Sequence, residues 1–261
     1  MKHPLFIAFT MATACTFAAC NQQAANPDTN TDSTAVADTT VVAQTAADPM
    51  AAPAINPGDQ GLITLKQCPA THEHLRVDIN DEGTVATILR DGQQLQVVSG
   101  DDGEPLAAGG GQKPDVRFLD ANFDGLTDIF IGPGESRTYS TLLLWDAQAG
   151  RFTRVGTLGE PMLQGFMLHP ASKTVLQGGS ASAFAFICTA SKWNGNTLSD
   201  TEELIIVDDP EQYEEYEVTA PYTLREPTGG PVISTAQRAS ALPRFWPDVL
   251  QVFEIDADAA R

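Results

Sequence analysis

The 261-residue chain sets 34 acidic residues against 15 basic ones, a formal charge of −19. Such a field repels phosphate backbones and anionic membrane surfaces, which excludes nucleic-acid binding, and residues 3 to 65 hold no Lys or Arg from which a basic membrane patch could form. The four cysteines are too few and too dispersed for a cysteine-based metal framework.

Lys2 is followed by an apolar stretch from Pro4 to Ala19, roughly 16 residues and so shorter than the ~20 that span a bilayer. It reads as a signal peptide over residues 1–19. Its end, Phe17-Ala18-Ala19-Cys20, resembles a bacterial lipobox, with Cys20 as the lipidated mature N-terminus and Phe17 in place of the usual Leu. Cys15 is a rival with a shorter apolar core behind it, and a plain secretory cleavage site is the bland alternative. Asn21 after the cysteine, where an Asp would resemble an inner-membrane retention signal, points to the outer membrane facing the periplasm. Residues 20–58 then read as a tether: Ala, Thr, Asp, Asn, Gln and Pro with no aromatic and no cation cannot bury enough apolar surface to fold. As a flexible coil it would reach about 30 to 35 Å. On this reading the lipid is the chain's only contact with a membrane.

From Gly61 the chain changes to short runs rich in β-branched and aromatic residues, separated by Gly, Asn, Asp and Pro. The pattern predicts strands over Leu62 to Lys66, Thr84 to Leu89, Leu95 to Ser99, Val116 to Leu119, Asp128 to Ile131, Tyr139 to Trp145, Phe152 to Gly156, Ser182 to Ala190 and Glu203 to Val207. Asp91-Gly92, Asp124-Gly125, Ala149-Gly150 and Asn194-Gly195 supply turns. The tail, Val232 to Gln237 or Pro247 to Phe253, is ambiguous, and no long helical periodicity stands out. Residues 59–261 are thus expected to form one all-β domain, an antiparallel sandwich or an irregular propeller-like stack of small sheets. In an oxidising compartment Cys68 and Cys188 are expected to pair as a disulfide.

The stretch from Asp120 to Asp128 carries the most chemistry. Oxygen-bearing side chains recur at Asp120, Asn122, Asp124 and Asp128, loop positions 1, 3, 5 and 9, with Gly125 for the sharp turn and Leu126 offering a carbonyl. That spacing suits Ca²⁺, a hard cation that takes six to eight oxygens at about 2.3 to 2.6 Å. Position 12 is Ile131 rather than the bidentate Glu of a helical calcium hand, so the loop reads as a strand-loop-strand site. An acidic turn without metal is the alternative.

This motif is followed by Tyr139, Leu142-Leu-Leu-Trp145-Asp146, Phe152, Lys173-Thr-Val175 and Lys192-Trp193-Asn-Gly195-Asn-Thr-Leu198. The series resembles a family of calcium-binding periplasmic lipoproteins. Its best-understood members are immunity proteins that protect bacteria carrying an antibacterial type IV secretion system by inhibiting a lysozyme-like effector. Over residues 112 to 207 the resemblance implies a propeller-like β fold, one calcium on Asp120, Asn122, Asp124, Leu126 and Asp128, and no catalysis. The chain departs from the family at Lys192, where an aromatic often sits, and over Ser182 to Ile187, which lacks the usual Tyr.

His72 and His74 alternate around Glu73 and would share one face of a strand, a seed for zinc that lacks a third ligand nearby. His169, before Pro170, reads as a loop residue. Asp208 to Glu217 concentrates six carboxylates with Tyr213 and Tyr216, either a solvated loop or an acidic prong for a basic partner. The expectation is therefore an inhibitory binding protein, not an enzyme, whose partner is a basic peptidoglycan hydrolase effector. Tyr139, Tyr213 and Tyr216 are its candidate contacts, and a calcium-stabilised envelope scaffold or adhesion module is the alternative.

Overall fold

The chain divides into two units, Met1–Thr45 and Ala46–Arg261. The computed structural model describes residues 48–59, 61–100, 105–107, 114–132, 140–158 and 165–252, all in the second unit. The expected leader, Cys20, most of the tether and Tyr139 lie outside the described residues.

The fold is all-β and antiparallel, as the short β-branched runs predict, with three sheets and one short helix among the described residues. After β1 (Ile63–Thr64), three strands form the first sheet: β2 (Leu75–Ile79), β3 (Val85–Arg90) and β4 (Gln93–Ser99). The second is the meander β5 (Asp115–Leu119), β6 (Asp128–Gly132), β7 (Ser140–Asp146) and β8 (Arg151–Leu158). The third has the order β1-β9-β10-β11-β12-β13-β14. Its later members are β9 (Phe166–His169), β10 (Thr174–Ser180), β11 (Ala185–Asn194), β12 (Thr197–Val207), β13 (Tyr222–Arg225) and β14 (Val232–Ala236). Helix α1 (Trp246–Val252) follows.

Side-chain alternation sorts the core into layers. On β6 and β7, Ile129, Ile131, Leu143 and Trp145 join Leu75, Ala86, Ile88 and Val98 of the first sheet, while Phe130, Leu142 and Leu144 join Phe166, Leu168 and Val175 of the third. The second sheet is therefore buried on both faces. That explains why Ile129-Phe-Ile131 and Leu142 to Trp145 read as continuous apolar runs although their sheet is antiparallel. The opposite face of the third sheet, with Met167, Leu176, Leu204 and Leu224, is covered by Trp246, Val249 and Leu250 of α1. Gln96 clamps the first two sheets together, its amide donating to the Phe152 carbonyl at 2.9 Å and accepting from the Phe152 N–H at 2.8 Å.

Turn chemistry matches the sequence closely at Asp91-Gly92. Both residues have positive φ, 50° and 78°, the type I′ geometry that suits a two-residue hairpin between β3 and β4.

Four departures are informative. Residues 65–67 curl into a 3-10 turn rather than extending β1. β2, β9, β10 and β13 were not foreseen; in β10 both Gly178 and Gly179 sit in the ladder, opposite Cys188 and Ile187. The tail resolves into both options, a strand over Val232–Ala236 and a helix over Trp246–Val252. The fourth concerns the expected tether, which ends earlier than residue 58. Met50 is 3 % exposed within the core beneath the first two sheets, and Ala51 pairs with Leu126 as an isolated antiparallel bridge.

Candidate metal centre

Residues Asp120 to Thr127 link β5 to β6, and every oxygen-bearing side chain of the expected site is engaged there. Asp120 accepts the Asp124 and Gly125 N–H groups, at 3.0 and 2.9 Å. Asn122 donates its amide to Asp124 Oδ2 at 2.9 Å, and Asp124 Oδ1 accepts the Leu126 N–H at 2.8 Å. Positive φ at Phe123, 63°, and Gly125, 84°, lets the loop fold back tightly enough for these contacts.

Asp128 plays a different part. It is fully buried at the start of β6, and its Oδ2 accepts the Ala121 N–H at 2.8 Å and the Asn122 N–H at 3.3 Å. Its Oδ1 accepts the Trp145 N–H of the neighbouring strand at 2.9 Å. The carboxyl thus fastens the loop to the sheet from below. Burial pushes its pKa up to about 8 against the pull of these bonds, with the charges of Asp124 and Asp120 adding to the rise. Burial raises Asp120 as well, and Asp124 contributes. Three carboxyl groups therefore feel one another across this loop.

Oxygen-only donors and surplus negative charge are the chemistry of a hard-cation site, and Asp120, Asn122 and Asp124 are only partly covered. Among the described residues no three His, Cys, Asp or Glu side chains are drawn together as a finished metal cage. The loop closes on its own N–H groups, with its acids paired to backbone.

Three supports of this loop were not legible in the sequence. The indole of Trp193 on β11 donates to the Ala121 carbonyl at 2.7 Å, tying the loop to the third sheet. The N-terminal segment lies across the other side, where Ala52 N–H donates to Gly125 O at 3.0 Å and Thr127 N–H to Met50 O at 2.8 Å. Thr127 Oγ1 donates to Ala51 O at 2.8 Å and lies 3.1 Å from His72 Nε2.

His72 and His74 precede β2 instead of lying on it. Nδ1 of His72 accepts the His74 N–H at 3.2 Å, so the proton sits on Nε2, facing Thr127. Burial lowers the pKa of His72 and favours that neutral ring. With both nitrogens engaged, His72 is a brace for the loop, and the zinc alternative gains no support. His74 instead meets Asp91 at 2.8 Å.

Tyr213 and Tyr216 do not project. Both rings lie half-buried against Ile205, Val207 and Val218, beyond the area that the second sheet covers. Burial and then the charge of Asp208 raise the Tyr213 pKa. The residue that stands out nearby is Phe184, 47 % exposed at the β10–β11 turn. Its N–H donates to Ser182 Oγ at 3.1 Å and its carbonyl accepts the Asp208 N–H at 3.2 Å, which joins this turn to the acidic loop.

The expected disulfide is not formed: Cys68 and Cys188 are both free and buried. Their positions in the core explain why. Cys188 packs with Leu176 and Leu204 under α1, whereas Cys68 packs with Leu168 and Val175 on the opposite face of the third sheet. Burial pushes the Cys68 thiol up to about 11 and raises Cys188 as well. Alkylating reagent is expected to leave both unmodified in the native protein and to label both after denaturation without reductant. Failure of the denatured protein to label at either peptide would restore the disulfide.

No protein-family model matches the chain, and no curated protein matches it. Among solved structures, one described as the structure of a Xanthomonas type IV secretion system related protein is similar, at a TM-score of 0.39 and 11% identity. That match covers 72% of this chain and 98% of the other.

Proposed function

We propose that this chain is a lipid-anchored periplasmic protein that binds and inhibits a basic, peptidoglycan-degrading enzyme of the lysozyme-like class. The observation that carries the reading is the surface around Phe184. A large apolar ring stands exposed on a turn fixed by its own hydrogen bonds, beside Asp208, Asp209, Glu211, Glu214, Glu215 and Glu217, none of which forms an ion pair among the described residues. Uncompensated acids steer a basic partner into encounter, and a pre-positioned aromatic then buries area at little ordering cost. The family resemblance of the 120–128 loop and the Lys192 to Leu198 segment supplies the target class. The lipid on Cys20 would hold the domain where wall-degrading enzymes arrive.

In this reading calcium is taken by Asp120, Asn122, Asp124 and Asp128 with the Leu126 carbonyl, and it relieves the mutual repulsion of the loop's acids. No helix among the described residues is long and apolar enough to cross a membrane.

The test is inhibition of lysozyme-like hydrolases by the purified protein, with and without EGTA. Inhibition is expected, with an association rate that falls as salt rises and falls about tenfold or more in a Glu214→Lys/Glu215→Lys variant at low salt. Phe184→Ala is expected to speed dissociation. Calcium at a hundredfold excess over its dissociation constant should stabilise the fold by about 2.7 kcal/mol. Calcium stabilisation without inhibition of any such enzyme would leave the scaffold alternative standing.

A further inference from the structure

Where the approach to α1 crosses the ends of β9 to β12, the surface opens into a cavity of about 580 Å³. That volume suits a small organic ligand. Part of its wall is tied together: Glu202 pairs with Arg244 and accepts the Trp246 indole N–H at 3.1 Å, while the Arg244 guanidinium lies over the Phe245 ring, 5.5 Å from its centroid. Phe245, 7 % exposed, stacks in turn against His169 at 5.1 Å between centroids.

Two further charges line the same cavity and are left alone. Lys192 on β11 and Asp248 on α1 form no ion pair and no side-chain hydrogen bond among the described residues, either with each other or with the Arg244–Glu202 pair. Between the charged walls runs a neutral polar row. His169 Nδ1 lies 2.6 Å from Ser172 Oγ, which lies 2.7 Å from Thr174 Oγ1. Burial lowers the His169 pKa against the opposing pull of Asp248, so the ring is neutral and can accept the serine hydrogen. The backbone is strained on two sides of the cavity, with Lys173 at φ 51° and Arg244 at φ 58°, left-handed positions that non-glycine residues rarely take. Such strain gathers where a site must hold a fixed shape.

A lone anion would meet Lys192 but also Asp248 and Glu202, and a lone cation would meet Asp248 but also Lys192 and Arg244. Only a ligand carrying both signs satisfies the two free charges together. We propose that this cavity binds a zwitterion of the amino-acid or short-peptide class, its carboxylate on Lys192, its ammonium on Asp248, and its middle against Phe245 and Ser172. This site is independent of the calcium loop and of the Phe184 surface.

Calorimetric titration of the full chain with L-alanine, L-alanyl-L-alanine and L-alanyl-L-alanyl-L-alanine tests it, alongside the N-acetyl and C-terminal amide forms of each. At least one free form should bind saturably, and each cap should weaken it about tenfold or more. Lys192→Gln should weaken the free form and no longer distinguish it from its amide. Asp248→Asn should do the same for the N-acetyl form. Lys192→Gln is expected to melt with the parent and Asp248→Asn slightly below it, since Asp248 stands in the first turn of α1 and acts on His169. Absence of saturable binding by all three free forms would overturn the proposal, as would equal affinity for free and capped forms. Discrimination that survives in both variants would overturn it equally.

Discussion

Replacing Asp128 with alanine is expected to lower the stability of the folded unit by about 3 to 6 kcal/mol, because three backbone N–H groups lose their acceptor at once. The Ala121, Asn122 and Trp145 donors cannot all turn to water, since Ala121 and Trp145 are themselves buried. An unsatisfied buried donor costs about 1 to 3 kcal/mol, and partial relaxation of the loop recovers some of the total. For a unit of this size the loss corresponds to roughly 10 °C or more in melting temperature. Urea unfolding should show the midpoint falling with an unchanged slope. Asp128→Asn keeps one acceptor oxygen and should fall between the two. An unfolding free energy for Asp128→Ala within about 1 kcal/mol of the parent's would mean that these bonds do not fasten the loop.

The second large effect concerns where the folded unit begins. A chain starting at residue 59 is expected to be less stable than one starting at residue 46 by about 3 to 5 kcal/mol, although the removed segment looks like spacer. Emptying the Met50 position alone costs about 2 to 5 kcal/mol by analogy with core truncations to alanine. The hydrogen bonds from Ala52 to Gly125, from Thr127 N–H to Met50 and from Thr127 Oγ1 to Ala51 go with it. Thermal unfolding of the two chains side by side decides the matter, and Met50→Ala in the longer chain separates packing from hydrogen bonding. Equal melting temperatures would return residues 48–58 to the tether.

Legibility followed the range over which each residue acts. Strands whose character is local could be read: Thr84 to Leu89 and Leu95 to Ser99, each within two residues of β3 and β4, from β-branched alternation around Asp91-Gly92, and the acidic loop from its spacing of oxygens. Met50 could not, because one apolar residue among Ala, Pro and Asp gives no periodicity, and its burial depends on a loop some 75 residues later. Gln96 and Trp193 were hidden for the same reason, since their partners Phe152 and Ala121 are fixed only by how the sheets stack. Asp128 was read as belonging to the loop, but its grip on Trp145 required knowing that β6 and β7 are neighbours. The cysteines misled because compartment chemistry favours pairing, whereas the fold packs Cys188, on β11, and Cys68, after the 3-10 turn, against opposite sides of one sheet.

The two buried thiols bear on how the protein folds. With no disulfide among the described residues, the fold is equally attainable before and after contact with an oxidant and places no demand on thiol-oxidising catalysts. Neither thiol is reachable as a nucleophile while the sheet is intact. Partial unfolding would expose both thiols to oxidants and to exchange. Resistance to oxidative damage therefore belongs to the packing of the third sheet, and it lasts as long as that sheet does.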